Sequence, residues 1–210
     1  MAKIIDKDDI SIKTTLLGSV GVGKTCIIHR YTDNKFNPLT QTTDVASYNQ
    51  KVLTVDNKSI NIDLWDTAGQ EKYRSLGRNF YKDSYIVCLV YDITNRTSFE
   101  DIENIWYEDL KRYGEKCTIT AIVANKSDLY ESEEVKEEEG RKFAESINCP
   151  FFLVSAKEGS NIDSLINTLV GRYLGPECSQ KLKEIKMEKG EKKKIVNTKE
   201  NEKKKKNKCC

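Results

Sequence analysis

Along this chain, short apolar runs alternate with stretches whose apolar residues recur every three or four positions. That is the pattern of a β/α domain built on a mainly parallel sheet. The runs predict strands at Ile12–Leu17, Ser47–Val55, Ser59–Trp65, Tyr85–Tyr91, Ile119–Ala124 and Phe151–Val154. Asp56-Asn57-Lys58 is a tight polar turn between the second and third, which predicts an antiparallel hairpin. Ile60, Ile62 and Leu64 alternate on one face, whereas Ile86–Val90 is apolar throughout, as a strand covered on both sides must be. Two helices carry capping-box signatures. Thr97-x-x-Glu100 precedes Phe99, Ile102, Trp106 and Leu110, and Ser160-x-x-Asp163 precedes Ile162, Leu165, Ile166, Leu169, Val170 and Tyr173. Gly175-Pro176 stops the second helix. The expected organisation is a flexible N-terminus at 1–9, one domain at 10–175, and a disordered basic tail at 176–210.

Composition and charge sharpen that division. The chain has 210 residues, 38% hydrophobic and 32% charged, somewhat polar for a fully packed protein. Its net charge is +2, but residues 176–210 contain 13 Lys and 6 Glu, a balance of +7, which leaves −5 for residues 1–175. A basic tail on an acidic domain points the tail towards a membrane surface or an acidic partner. Nucleic acid is not an expected partner, and the chain reads as a monomer. Seven cysteines with no Cys-x-x-Cys pair, and the single His29, support a zinc site poorly. Residues 1–6 turn acidic too early for a signal peptide, and no apolar run approaches the roughly 18 residues that a membrane span needs. The thiols are expected to stay reduced, in the cytosol.

The chemistry begins at Gly18-Ser19-Val20-Gly21-Val22-Gly23-Lys24-Thr25, which matches G-x-x-x-x-G-K-[ST] between a predicted strand and an amphipathic segment. Glycines let backbone N–H groups curl around phosphate oxygens. Lys24 suits the β- and γ-phosphates, and the Thr25 hydroxyl suits Mg²⁺. An ordinary glycine-rich turn is the bland alternative, which the flanking elements disfavour. Further on, Asn125-Lys126-Ser127-Asp128 and Ser155-Ala156-Lys157 close two strands, where ligands bind in parallel sheets. The Asp128 carboxylate can accept from guanine N1–H and its exocyclic amine, a donor pair that adenine lacks. Lys126 can pack its stem on the base, and the Ala156 N–H can meet the guanine carbonyl. In Asp66-Thr67-Ala68-Gly69-Gln70-Glu71, Asp66 suits indirect Mg²⁺ binding, the Gly69 N–H suits a γ-phosphate, and Gln70 suits orienting a water. Each short motif alone also fits a polar loop; their order and spacing favour a nucleotide.

With these motifs in order, residues 10–175 resemble a small GTPase of the Ras superfamily, and within it the Rab family. Trp65–Leu76 and Leu89-Val90-Tyr91-Asp92-Ile93-Thr94 carry the Rab likeness. The resemblance implies an α/β P-loop NTPase fold, the small G domain, with a mostly parallel six-stranded sheet and helices on both faces. It implies GTP or GDP held with Mg²⁺ by Ser19 to Cys26, Thr43, Gly69, Asn125, Lys126, Asp128, Ser155, Ala156 and Lys157. Thr25, Thr43 and Asp66 become the expected metal set, and Gln70, Lys24 and Thr43 the hydrolytic residues. Thr43 stands 18 residues after Thr25, as family spacing requires, although Thr40 and Thr42 rival it on composition. Tyr48, Trp65 and Phe80 resemble the aromatic trio that displays nucleotide state to effectors; core packing is the other reading.

The pattern is broken in three places. Asp44-Val45 replaces the usual Ile-Gly after Thr43, which puts an acidic group on the effector surface. Arg78–Ser84 follows the family run only loosely. Val20 fills a position usually held by a small residue, so intrinsic hydrolysis is expected to be slow. At the other end, Cys209-Cys210 resembles the double geranylgeranyl acceptor of Rabs, and two lipids anchor stably where one does not. The implied setting is the cytosolic face of an intracellular membrane, with a cytosolic pool. The implied partners are an activating protein, an exchange factor, a prenyl-binding chaperone and effectors in vesicle and protein transport. Two rivals remain at this level: a prenylated GTP-binding scaffold with negligible hydrolysis, and an adenine-nucleotide kinase, which Asn125–Asp128 argues against.

Overall fold

A computed structural model describes residues 10–40, 42–43, 47–55, 58–67, 83–114 and 119–176. The strands are β1 (Ile10–Leu17), β2 (Ser47–Val55), β3 (Lys58–Asp66), β4 (Ile86–Asp92), β5 (Ile119–Asn125) and β6 (Phe151–Leu153). Among the described residues they form one sheet in the order β2-β3-β1-β4-β5-β6. The β2–β3 pair is antiparallel and every other pair is parallel. All six expected strands are present, with ends moved by two residues at most.

The hairpin has the expected consequence. Ile60, Ile62 and Leu64 are buried along β3, while neighbours on the other face stay half-open. β4 is buried at all seven positions, so both of its faces are covered. Val87, Leu89 and Tyr91 of one face join Phe99, Ile102, Trp106, Leu110 and Ala144 in a single cluster, with Ile122 and Ala124 from β5.

The helices are α1 (Lys24–Asp33), α2 (Arg96–Asp101), α3 (Tyr107–Tyr113), α4 (Glu137–Ser146) and α5 (Ile162–Leu174). A π-helical turn, Ile102–Trp106, links α2 to α3, and Ser127–Ser132 forms a 3₁₀ segment. Phe99, Ile102, Trp106 and Leu110 are buried as the apolar spacing predicts.

Both capping boxes need correction. The N-cap of α2 is Asn95, whose side chain accepts from the Ser98 N–H. Asparagine caps as well as threonine does and lies two residues nearer the strand, so it takes the role expected of Thr97. At α5 the helix begins at Ile162, and the Ser160 carbonyl instead accepts from the Ser155 N–H at 3.2 Å. Ser160 is thereby drawn into an isolated antiparallel bridge with Ser155.

By compactness the chain divides into Met1–Gly171 and Arg172–Cys210. Of the second unit the structure describes residues 172–176, where the Gly175 N–H donates to the Arg172 carbonyl as the helix stops. The expected N-terminal arm and most of the tail lie outside the described residues. Among those described, no helix is long and apolar enough to cross a membrane.

Candidate functional site

The loop of residues 18–25 leaves the carboxyl end of β1 and enters α1. At two points only glycine fits. Gly18 has φ 146° and a Cβ there would run into the Val90 carbonyl; Gly23 has φ 94° and a Cβ would strike the Asn125 amide. No side chain caps α1 at Gly23. Its first N–H groups and the helix dipole therefore suit an anion.

Lys24 is buried, and its Nζ donates to the Gly18 and Ser19 carbonyls at 2.7 and 2.9 Å. Burial pulls its pKa down to about 8, against the opposing pull of Asp66. A phosphate beside it supplies the anionic partner that favours the charged form.

Asp66 ends β3 in a buried position beneath this loop. Its Oδ2 accepts from Thr25 Oγ1 at 2.6 Å and from Thr43 Oγ1 at 3.3 Å, and the two hydroxyl oxygens are 2.7 Å apart. Burial raises the Asp66 pKa, although the Thr25 hydroxyl and Lys24 lower it. Asp66 Oδ1 is buried with no hydrogen-bond partner. An uncompensated carboxylate oxygen among hydroxyls is what a hard, oxygen-seeking cation relieves, so these residues fit Mg²⁺. Among the described residues, Thr43 is the one of the three rival threonines bonded to Thr25 and Asp66. Thr40 turns back to the Asn37 carbonyl instead.

A cleft of about 120 Å³ opens above, lined by Val20, Gly21, Lys24, Thr25, Cys26 and Thr43 among others. Val20 is 40% exposed and lines the cleft. Val22 is buried and contributes through its backbone: its carbonyl accepts from Asn125 Nδ2 at 2.7 Å.

The second group gathers at the carboxyl ends of β5 and β6. Asn125 is buried and joins the phosphate loop to residues 155–157, because its Oδ1 also accepts from the Ala156 N–H at 3.2 Å. The Ala156 N–H is thus engaged by Asn125, and a base carbonyl meeting it would share that donor. Asp128 accepts from Ser155 Oγ at 2.6 Å and lies 3.5 Å from Lys157 Nζ. Lys126 has φ 66° and pairs with Asp92 at 2.6 Å. Holding a lysine in the left-handed region costs about 1–3 kcal/mol, which this ion pair helps to sustain.

Tyr48 and Trp65 are cross-strand partners with ring centroids 5.5 Å apart; Tyr48 is half-exposed and Trp65 half-buried. The pair packs edge to face while Tyr48 keeps half of its surface open. Gly69, Gln70, Phe80, Asp44, Val45, Cys209 and Cys210 lie outside the described residues. His29 is an exposed residue of α1.

Sequence reasoning assigned no role to Asp92, Asp101 or Arg30. Asp92, an acid at the end of an all-apolar strand, left a visible signal. Asp101 donates nothing to any motif, yet its Oδ2 accepts from Ser19 Oγ at 2.6 Å. Arg30 reads as an ordinary basic residue near a helix end.

Comparison with known proteins places the chain in a family. A family model described as the Ras family matches residues 13–174. The chain is 40% identical over 166 residues to the probable Ras-related protein Rab-4A of Echinococcus multilocularis, covering 79% of this chain and 74% of that protein. It is 38% identical over 156 residues to the Ras-related protein Rab-26 of Rattus norvegicus, covering 74% of this chain and 60% of that one.

Proposed function

The chain belongs to the Ras family and is a small GTPase of the Rab type, and from that premise we propose that it regulates vesicle and membrane traffic as a lipid-anchored switch. The observation that carries the site assignment is the meeting of Thr25, Thr43 and Asp66, three distant points of the chain, beside the buried Lys24.

Each residue has a defined task. The backbone of Ser19 to Cys26 wraps the phosphates, and Lys24 spreads the charge that develops on the β- and γ-oxygens. Thr25, Thr43 and Asp66 would hold Mg²⁺, which would supply positive charge against the phosphates. Gln70 orients the attacking water and the Gly69 N–H meets the γ-phosphate. Asp128 selects guanine, Lys126 covers the ring, and Ser155, Ala156 and Lys157 complete the base site. When GTP is present, effectors are recruited through Thr43 and the segment that follows Asp66. Hydrolysis releases them.

Geranylgeranyl groups on Cys209 and Cys210 supply the anchor, assisted by the tail lysines at roughly 1 kcal/mol each near anionic lipid, before glutamates and salt subtract. An activating protein, an exchange factor and a prenyl-binding chaperone complete the cycle.

Competitive binding of GDP and ADP, with and without magnesium, tests the site. Micromolar, magnesium-dependent preference for GDP is expected. Equal binding of the two overturns the assignment of Asp128. Imaging a tagged chain beside its Cys209→Ser/Cys210→Ser form tests the anchor; identical membrane association removes the cysteines from it.

A further inference from the structure

Helix α1 carries the phosphate-binding Lys24 and Thr25 in its first turn. Near its other end, Arg30 reaches the base loop. Its Nε donates to the Ala156 carbonyl at 2.9 Å and its Nη2 to the Lys157 carbonyl at 2.7 Å. Nη1 donates to Asn34, both to the carbonyl at 3.0 Å and to Oδ1 at 2.9 Å. Asn34 is the left-handed C-cap of α1, and its own N–H returns to the Arg30 carbonyl. The guanidinium is thus fixed on its helix side by Asn34, with its other edge forked onto two carbonyls of the loop. Gly159 packs against the stem, since a Cβ there would lie 3.4 Å from Arg30 Cδ.

These bonds close a circuit. Val22 of the phosphate loop accepts from Asn125, Asn125 accepts from the Ala156 N–H, and the Ala156 carbonyl accepts from Arg30. Arg30 then returns to the phosphate loop through α1 itself. The peptide groups on both sides of Ala156 are held in this way, and the direction of its N–H is set.

We propose that Arg30 is a positioning residue for guanine selection: by gripping the Ala156 and Lys157 carbonyls it aims the Ala156 N–H at the base carbonyl. The inference rests on the guanine reading given above. A fork of rigid donors is essential to it, because an ammonium at the same place offers a point charge without paired geometry. A purely structural Arg30, acting as a cation at a helix C-terminus, predicts something different. It would change the melting temperature and leave base discrimination intact.

The test uses the full chain with Arg30→Lys and Arg30→Ala. Three ligands are compared by competition: GDP, 6-thio-GDP, which weakens the carbonyl acceptor, and IDP, which lacks only the amine read by Asp128. Release of a fluorescent GDP is followed in parallel. Loss of the fork should speed release about tenfold, the scale of one or two net hydrogen bonds. Discrimination of GDP from 6-thio-GDP should largely disappear in both variants. Discrimination of GDP from IDP should stay within about twofold, the scale of a few tenths of a kcal/mol, because Asp128 keeps its Ser155 contact.

If Arg30→Lys retains parental release and parental 6-thio-GDP discrimination, the proposal fails. It fails equally if both discriminations fall together, which marks general loosening. A parent chain that does not prefer GDP over ADP overturns the guanine reading and this inference with it. A parent that does, beside an unchanged Arg30→Lys, overturns the inference alone.

Discussion

The Ser19 hydroxyl donates to Asp101 Oδ2 at 2.6 Å, tying the phosphate loop to the last residue of α2, where the π-helical turn begins. On its backbone side the same serine accepts from Lys24 at 2.9 Å. Ser19 is therefore held from both directions, next to Val20. Asp101→Ala should release the loop and speed GDP dissociation about tenfold, the lower range for a hydrogen bond to a charged group. Asp101→Asn keeps an acceptor and should fall between the two. Stopped-flow displacement of a fluorescent GDP measures all three, and equal rates would leave the contact without a role.

Val20 lines the cleft and is partly exposed. That placement puts a β-branched group where a water and an activating residue must enter. Displacing a catalytic group by about 1 Å can cost roughly 10² in rate. Val20→Ser should therefore hydrolyse GTP tens-fold faster in single turnover, with a larger gain when an activating protein is added. Indistinguishable rates would remove Val20 as the brake.

The orphan Oδ1 of Asp66 fits the magnesium ion proposed for this site. Chelating the ion from the GDP-bound parent should accelerate nucleotide release by roughly tenfold or more, the range seen when a metal's supporting contacts are lost. In Asp66→Asn the same treatment should change release by less than about twofold, as expected once that support is already gone. Release rates with and without chelator decide it. A variant as sensitive as the parent would show that Asp66 does not support the ion.

Asn125 satisfies two buried backbone groups, the Val22 carbonyl and the Ala156 N–H. Asn125→Ala leaves both unpaired at about 1–3 kcal/mol each. Denaturant titration of the chain without nucleotide should show a loss of about 2–4 kcal/mol, at the lower part of that sum because water can enter. Unchanged stability would mean that the two loops hold themselves.

What was legible in the sequence was whatever a short stretch of chain decides by itself. An all-apolar Ile86–Val90 can only be a strand covered on both faces, and β4 is one. Alternation at Ile60, Ile62 and Leu64 dictates a one-sided strand. The glycines of residues 18–23 and the lysine after them specify a phosphate loop because backbone curvature and charge are local properties. Helix starts were harder. Asn95 and Thr97 are both competent caps, and only the path of the chain leaving β4 decides between them.

The tertiary structure alone decided which distant groups share a hydrogen bond. Thr40, Thr42 and Thr43 are equivalent as a string, yet packing delivers the Thr43 hydroxyl to Thr25 and Asp66. Asp101 and Arg30 carry no signal in their own neighbourhoods, since their partners lie 82 and 126 residues away. A side chain's partner depends on where the sheet order places two loops in space, and no local pattern of hydrophobic and polar residues encodes that distance.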